Sequence, residues 1–186
     1  MNALLVAAQE MCDFMAGRKW SFCVIGGLAV QKWGEPRTTL DADLVLFTGW
    51  GNEKNYIDEI LKHFPARFPG AAEFAMDRRV LLVRASNGKD LDILLGALEF
   101  EKELTERSRP VEFAPGVLLR CCTAEDLFVM KAFAGRARDW SDAESVVARQ
   151  PNLDQNYVLS HLSKLCALKD DTETLERARV LLSQEL

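Results

Sequence analysis

Residues 22–46 read FCVIGGLAVQKWGEPRTTLDADLVL, and the rest of the chain is organised around them. A short apolar run, residues 22–25, has the composition of a buried strand and stops at Gly26-Gly27. A short helical stretch follows, then Arg37-Thr38-Thr39, then Asp41-Ala42-Asp43 opening a second apolar run. Side chains alternate along a strand, so Asp41 and Asp43 point to one face. Two carboxylates on one face repel unless a cation lies between them. Mg²⁺ takes oxygen ligands and is typically held by one or two carboxylates together with substrate phosphates. A glycine pair lets backbone N–H groups approach a phosphate closely. The stretch therefore predicts a phosphate cradle at Gly26 and Gly27 and a metal seat at Asp41 and Asp43, a short loop apart.

Two acids on one strand are half of a two-metal site, and in-line phosphoryl transfer needs a further carboxylate. Asn87-Gly88 is a strong hairpin signal between two apolar runs, residues 79–85 and 89–95. The return run, KDLDILL, carries Asp90 and Asp92 on a shared face. Asp92 lies in the apolar setting LDILL, where an acid without a task would be costly to bury. It is the expected third acid, and Asp90 is read as a polar edge residue.

The ordered set of Gly26-Gly27, Arg37-Thr38, Asp41-Ala42-Asp43 and a later hairpin acid resembles the signature of the nucleotidyltransferase superfamily with the DNA polymerase beta-like fold. It looks closest to the AbiEii-type branch, which includes toxins of abortive-infection systems. Matching pieces run over residues 22–142. Ala42, where a larger aliphatic is common, departs from the pattern. The resemblance implies a mixed sheet with helices packed on one face, of the α+β class, followed by a helical C-terminal part. It implies metal-held catalytic acids at Asp41, Asp43 and Asp92, with Mg²⁺ as cofactor. It also implies nucleotide contacts at Gly26, Gly27, Arg37 and Lys131, the lysine lying in DLFVMKAFAGRARDWSD with Arg136, Arg138, Asp139 and Asp142 nearby. From the residues alone, Lys131 is as consistent with a lysine whose stem packs on apolar surface, and Asp139 is a partner for it or for the two arginines. Arg37 is open to pairing with Asp41 or Asp43 or to reaching a phosphate.

The implied activity is transfer of a nucleoside monophosphate from a nucleoside triphosphate to a hydroxyl of RNA (a tRNA end, for instance), protein or a small molecule. A toxin role with an antitoxin as partner comes with the AbiEii-type branch. Two other readings stand beside it. One is a nucleotidyltransferase-fold module that binds a nucleotide or a partner chain without catalysis. The other is an unrelated α/β domain with a bare metal site.

Bulk properties narrow the field. The chain has 186 residues, 48% hydrophobic and 27% charged, the profile of a globular protein with a real core. Its net charge of −5 argues against a general nucleic-acid binder. No apolar run reaches a membrane-spanning length of about 18–20 residues, and the start of the chain reads as an amphipathic helix over residues 2–16 rather than a signal peptide. The five cysteines are odd in number and form no C-x-x-C, which predicts buried free thiols in a reducing cytoplasm.

Further helices are expected over 27–33, 53–64, 97–107, 124–134, 140–149, 154–167 and 171–184, and short strands over 42–48, 111–113 and 117–121. Thr123 with Asp126 is read as an imperfect capping box. The composition shift near residue 122 predicts a mixed α/β region, residues 1–122, and a helical region, residues 123–186.

Overall fold

The computed structural model describes residues 2–183, so the last position of the helix expected over 171–184 lies outside the described residues. The chain divides into two compact units. One comprises the residues up to Leu28 together with Thr38–Cys122; the other comprises Ala29–Arg37 and the residues from Thr123 onward. The segment 29–37 thus groups with the helical unit, although in sequence it interrupts the mixed one.

The first unit is built on a six-stranded mixed sheet: β1 (Phe22–Val24), β2 (Asp41–Phe47), β3 (Val80–Arg84), β4 (Asp90–Gly96), β5 (Arg109–Ala114) and β6 (Val117–Cys121), in the order β3-β4-β2-β1-β6-β5. β1 runs antiparallel to β2 and parallel to β6, and β4 runs parallel to β2. The hairpin expected at Asn87-Gly88 joins β3 and β4. Gly88 takes a positive φ of 78°, and the Asn87 side chain accepts a hydrogen bond from the Lys89 N–H at 3.1 Å.

Alternation decides which face of this sheet is dry. On β2, Ala42, Leu44 and Leu46 are fully buried, and on β4 Leu91, Ile93 and Leu95 are buried on the same side. Helix α1 (Ala3–Gly17) packs there through Leu4, Ala8, Met11 and Met15. Helix α3 (Glu53–Leu61) adds Ile57 and Ile60, and α4 (Ala71–Arg78) adds Ala75. Between β1 and β2 lies α2 (Gly26–Trp33). α4 is not expected from sequence, because its buried positions are alanines, Ala71 and Ala75, which give little apolar contrast. α5 (Glu99–Arg107) lies on the other face, where a side chain at Gly96 would meet both Val45 and Glu101.

The second unit contains α6 (Ala124–Ala134), α7 (Ala137–Arg149), α8 (Gln155–Ala167) and α9 (Thr172–Ser183). The capping box at Thr123 forms: its hydroxyl accepts from the Asp126 N–H at 3.2 Å, and the Asp126 carboxylate accepts from the Thr123 N–H at 3.3 Å. All five cysteines are free and buried, and burial pushes the Cys12 thiol up to about 12, which keeps it protonated and unreactive. No helix among the described residues is long and apolar enough to cross a membrane.

Candidate active site

β2 and β4 both begin at an aspartate and run parallel in register, so Asp41 lies beside Asp90 and Asp43 beside Asp92. Four carboxylates therefore share one patch of one sheet face, at the N-terminal ends of two adjacent strands. β1, antiparallel to β2, brings its C-terminal end to the same edge, and the Ile25 N–H donates to the Asp43 carbonyl at 2.9 Å. The Gly26-Gly27 turn is thereby held over Asp43.

The glycine pair has a steric cause that its sequence reading did not contain. Gly26 has a φ of +60°, and a Cβ there would lie 1.9 Å from the Asp43 Oδ2. A Cβ on Gly27 would lie 2.4 Å from the Thr39 Oγ1. The missing side chains leave room for Asp43 and Thr39. The Gly27 N–H, in the first turn of α2, donates to Asp43 Oδ2 at 3.4 Å, a favourable place for an anionic group. Thr39 donates through its hydroxyl to Asp41 Oδ1 at 3.1 Å.

The other half of the patch is countered by arginines. Arg67 Nη1 lies 2.5 Å from Asp92 Oδ1, and its Nε lies 3.4 Å from Asp90 Oδ2. Arg84 Nε lies 3.1 Å from Asp90 Oδ1. Burial pushes the Asp92 carboxyl above its ordinary value; Asp41 and Asp90 push the same way, and Arg67 pulls back. Arg67 was not singled out by sequence. It stands alone in the loop sequence PARFPG, with no periodic or motif signal to mark it.

Among the described residues no three His, Cys, Asp or Glu side chains gather closely enough to hold a metal ion together. Asp43 turns toward the glycine N–H, Asp41 toward Thr39 and Asp92 toward Arg67. The donor chemistry nevertheless fits a divalent ion. All candidate ligands are carboxylates on one face, Asp92 senses the charge of Asp41, and the patch already calls for cationic partners.

Arg37 and Lys131 both lie in the second unit, within one network. Lys131 Nζ is 2.9 Å from Asp139 Oδ1 and 2.9 Å from Asp142 Oδ2. Arg37 grips Asp142 with both ends of its fork, at 2.7 and 2.8 Å, and Arg136 pairs with Asp139. Both acids are almost fully buried. Burial alone would raise their pKa values. Hydrogen bonds from Arg136 and Lys131 to Asp139, and from Arg37 and Lys131 to Asp142, override it and hold both below the ordinary value.

No protein-family model matches the sequence, and no curated protein sequence matches it significantly. Solved structures do resemble the fold. An antigenic nucleotidyltransferase-like protein from Paracoccidioides brasiliensis superposes with a TM-score of 0.53 at 13% identity, covering 94% of this chain and 92% of that one. The antibiotic-resistance factor ANT(2'')-Ia superposes with a TM-score of 0.53 at 14% identity, covering 95% and 96%. The fold is nucleotidyltransferase-like. At these identities the likeness extends to the architecture, and the chemistry rests on the residues above.

Gly26→Ala, strained at positive φ and clashing with Asp43, lowers stability by about 2 kcal/mol or more, read as a lower urea midpoint. Asp142→Ala removes the acid that Arg37 grips at two points and one of the two acids on Lys131, which keeps Asp139, and costs about 3 kcal/mol by the same measurement. The two depressed pKa values also give a sign. The network's contribution is complete above the ordinary Asp value of 3.8 and is lost as pH falls through the lower folded values. Acid titration of Asp142→Ala should therefore show a shallower loss of stability below that pH than wild type.

Proposed function

We propose that this chain is a nucleotidyltransferase that moves a nucleoside monophosphate from a nucleoside triphosphate to a hydroxyl acceptor. The observation that supports it most is the carboxylate patch of Asp41, Asp43 and Asp92 laid beside the Gly26-Gly27 turn by the pairing of β2 with β4 and β1. Asp41, Asp43 and Asp92 are the residues that would hold Mg²⁺, and bound ions would supply charge neutralisation at the α-phosphate and at the leaving oxygen. Gly26 and Gly27 would offer backbone N–H groups to the β- and γ-phosphates, the Gly27 N–H exchanging its long contact with Asp43 for a phosphate oxygen. Asp92 receives the proton of the acceptor hydroxyl, whose oxygen bonds to the α-phosphorus while the bond to the bridging oxygen breaks and pyrophosphate leaves with the electron pair.

Arg37 and Lys131 would contact phosphate. With Arg136, Asp139 and Asp142 they carry one positive charge more than negative, a surplus suited to a polyanion. The acceptor is RNA, protein or a small molecule, and the net charge of −5 favours the smaller ones over a long nucleic acid. A toxin role, with an antitoxin as partner, is what the AbiEii-type resemblance adds. The pairing of Arg67 with Asp92 favours a second reading, a module that binds nucleotide without transferring it.

Incubation with each α-labelled nucleoside triphosphate, with total RNA, protein extract or hydroxylated small molecules as acceptors, separates these. The enzyme moves label to one acceptor class; the binding module retains nucleotide and moves none. Asp43→Asn keeps the Gly27 contact and the fold, and should weaken Mg²⁺-dependent nucleotide binding by at least tenfold in calorimetry. Unchanged binding by that variant would overturn the site.

A further inference from the structure

The loop between α3 and α4 holds an arginine in the position where a cation is most needed. The backbone around Arg67 is pinned to the outer edge of the sheet. Its N–H donates to the Leu82 carbonyl at 3.1 Å, Ala66 bridges Val83, and the Arg84 N–H donates to the Pro65 carbonyl at 3.0 Å. Leu82 is the β3 partner of Asp92, so the Arg67 side chain reaches inward past β3 to the acid patch. Its guanidinium spans Asp92 and Asp90, with about a quarter of the side chain exposed. A fixed backbone and a partly exposed head mean that the guanidinium can leave by rotating its own torsions, with no strand displaced.

We propose that Arg67 is a built-in counterion that a divalent ion must displace from Asp92 and Asp90, so that this one side chain sets how weakly the acid patch holds metal in the absence of nucleotide. The inference rests on the metal reading given above. The Asp92 oxygen that Arg67 occupies is one a metal would need, and a guanidinium beside a divalent ion repels it. In the free protein the arginine relieves the repulsion among Asp41, Asp90 and Asp92. A triphosphate adds oxygen ligands and negative charge, which tips the exchange toward metal. Metal and nucleotide would then bind as a pair rather than singly. Arg84 remains on Asp90 throughout and keeps that acid countered.

Titration of the whole protein with Mn²⁺ alone, followed by calorimetry and by the loss of the free-ion paramagnetic resonance signal, tests this without an activity assay. Arg67→Gln should bind Mn²⁺ about three- to tenfold more tightly than wild type, while its metal-free form melts at lower temperature. Arg67→Lys keeps the charge but presents one point instead of a fork, so its gain should be smaller, and it serves if the glutamine variant folds poorly. Asp92→Asn combined with Arg67→Gln should erase the gain. If wild type binds Mn²⁺ through Asp43 and neither Arg67 variant binds more tightly, the counterion proposal is wrong and the metal site stands. If neither wild type nor the Arg67 variants bind Mn²⁺, the metal reading and the proposal fall together.

Discussion

Like-charge repulsion across the β2–β4 pair is the constraint on which the first unit depends. Parallel pairing in register sets Asp41 beside Asp90 and Asp43 beside Asp92. Neighbouring strands are about 4.8 Å apart, so these carboxylates cannot avoid one another. The surroundings are arranged to tolerate them. Glycine at 26 and 27 opens space for Asp43 and Thr39, Thr39 donates to Asp41, and two arginines from the far side cover Asp90 and Asp92. A protein that had no use for these acids would be more stable with apolar or neutral residues on that face. The opposite face of the same strands is uniformly apolar and supplies the stability that the acid face lacks.

The helical unit solves the same electrostatic problem in the opposite direction. Asp139 and Asp142 are buried and hold their charge because Lys131, Arg37 and Arg136 surround them. Their pKa values fall, whereas that of Asp92 rises. The difference is one of partner count. Asp142 takes a bidentate arginine and a lysine, while Asp92 has one arginine and two nearby acids. Burial raises all three acids; at Asp139 and Asp142 the hydrogen-bonded cations override it, and at Asp92 one arginine against two nearby acids does not.

Local chemistry made much of this readable. Apolar alternation marks β2 and β4, Asn87-Gly88 marks the hairpin, and Thr123 with Asp126 marks the start of α6. Lys131 with Asp139 is a short-range pair on neighbouring helices, and its possibility is visible in the spacing. The placement of Arg37 against Asp142 was not visible, because 105 residues separate them and several acids were equally eligible.

The sequence by itself determined which residues share a face, since the two-residue period of a strand allows no other arrangement of Asp41 with Asp43 or of Asp90 with Asp92. It also determined that a glycine pair precedes the acids and that the chain turns helical after residue 122. Tertiary structure alone decided that β4 lies parallel beside β2 and not at some other position in the sheet, which is what makes two pairs into a patch of four. It also decided that Arg67 reaches that patch and that the glycines are needed for the close approach of Asp43 and Thr39. The physical reason is the same in each case: strand order and side-chain reach are set by long-range packing, and no local pattern in the chain encodes which distant neighbour a strand edge or a guanidinium will meet.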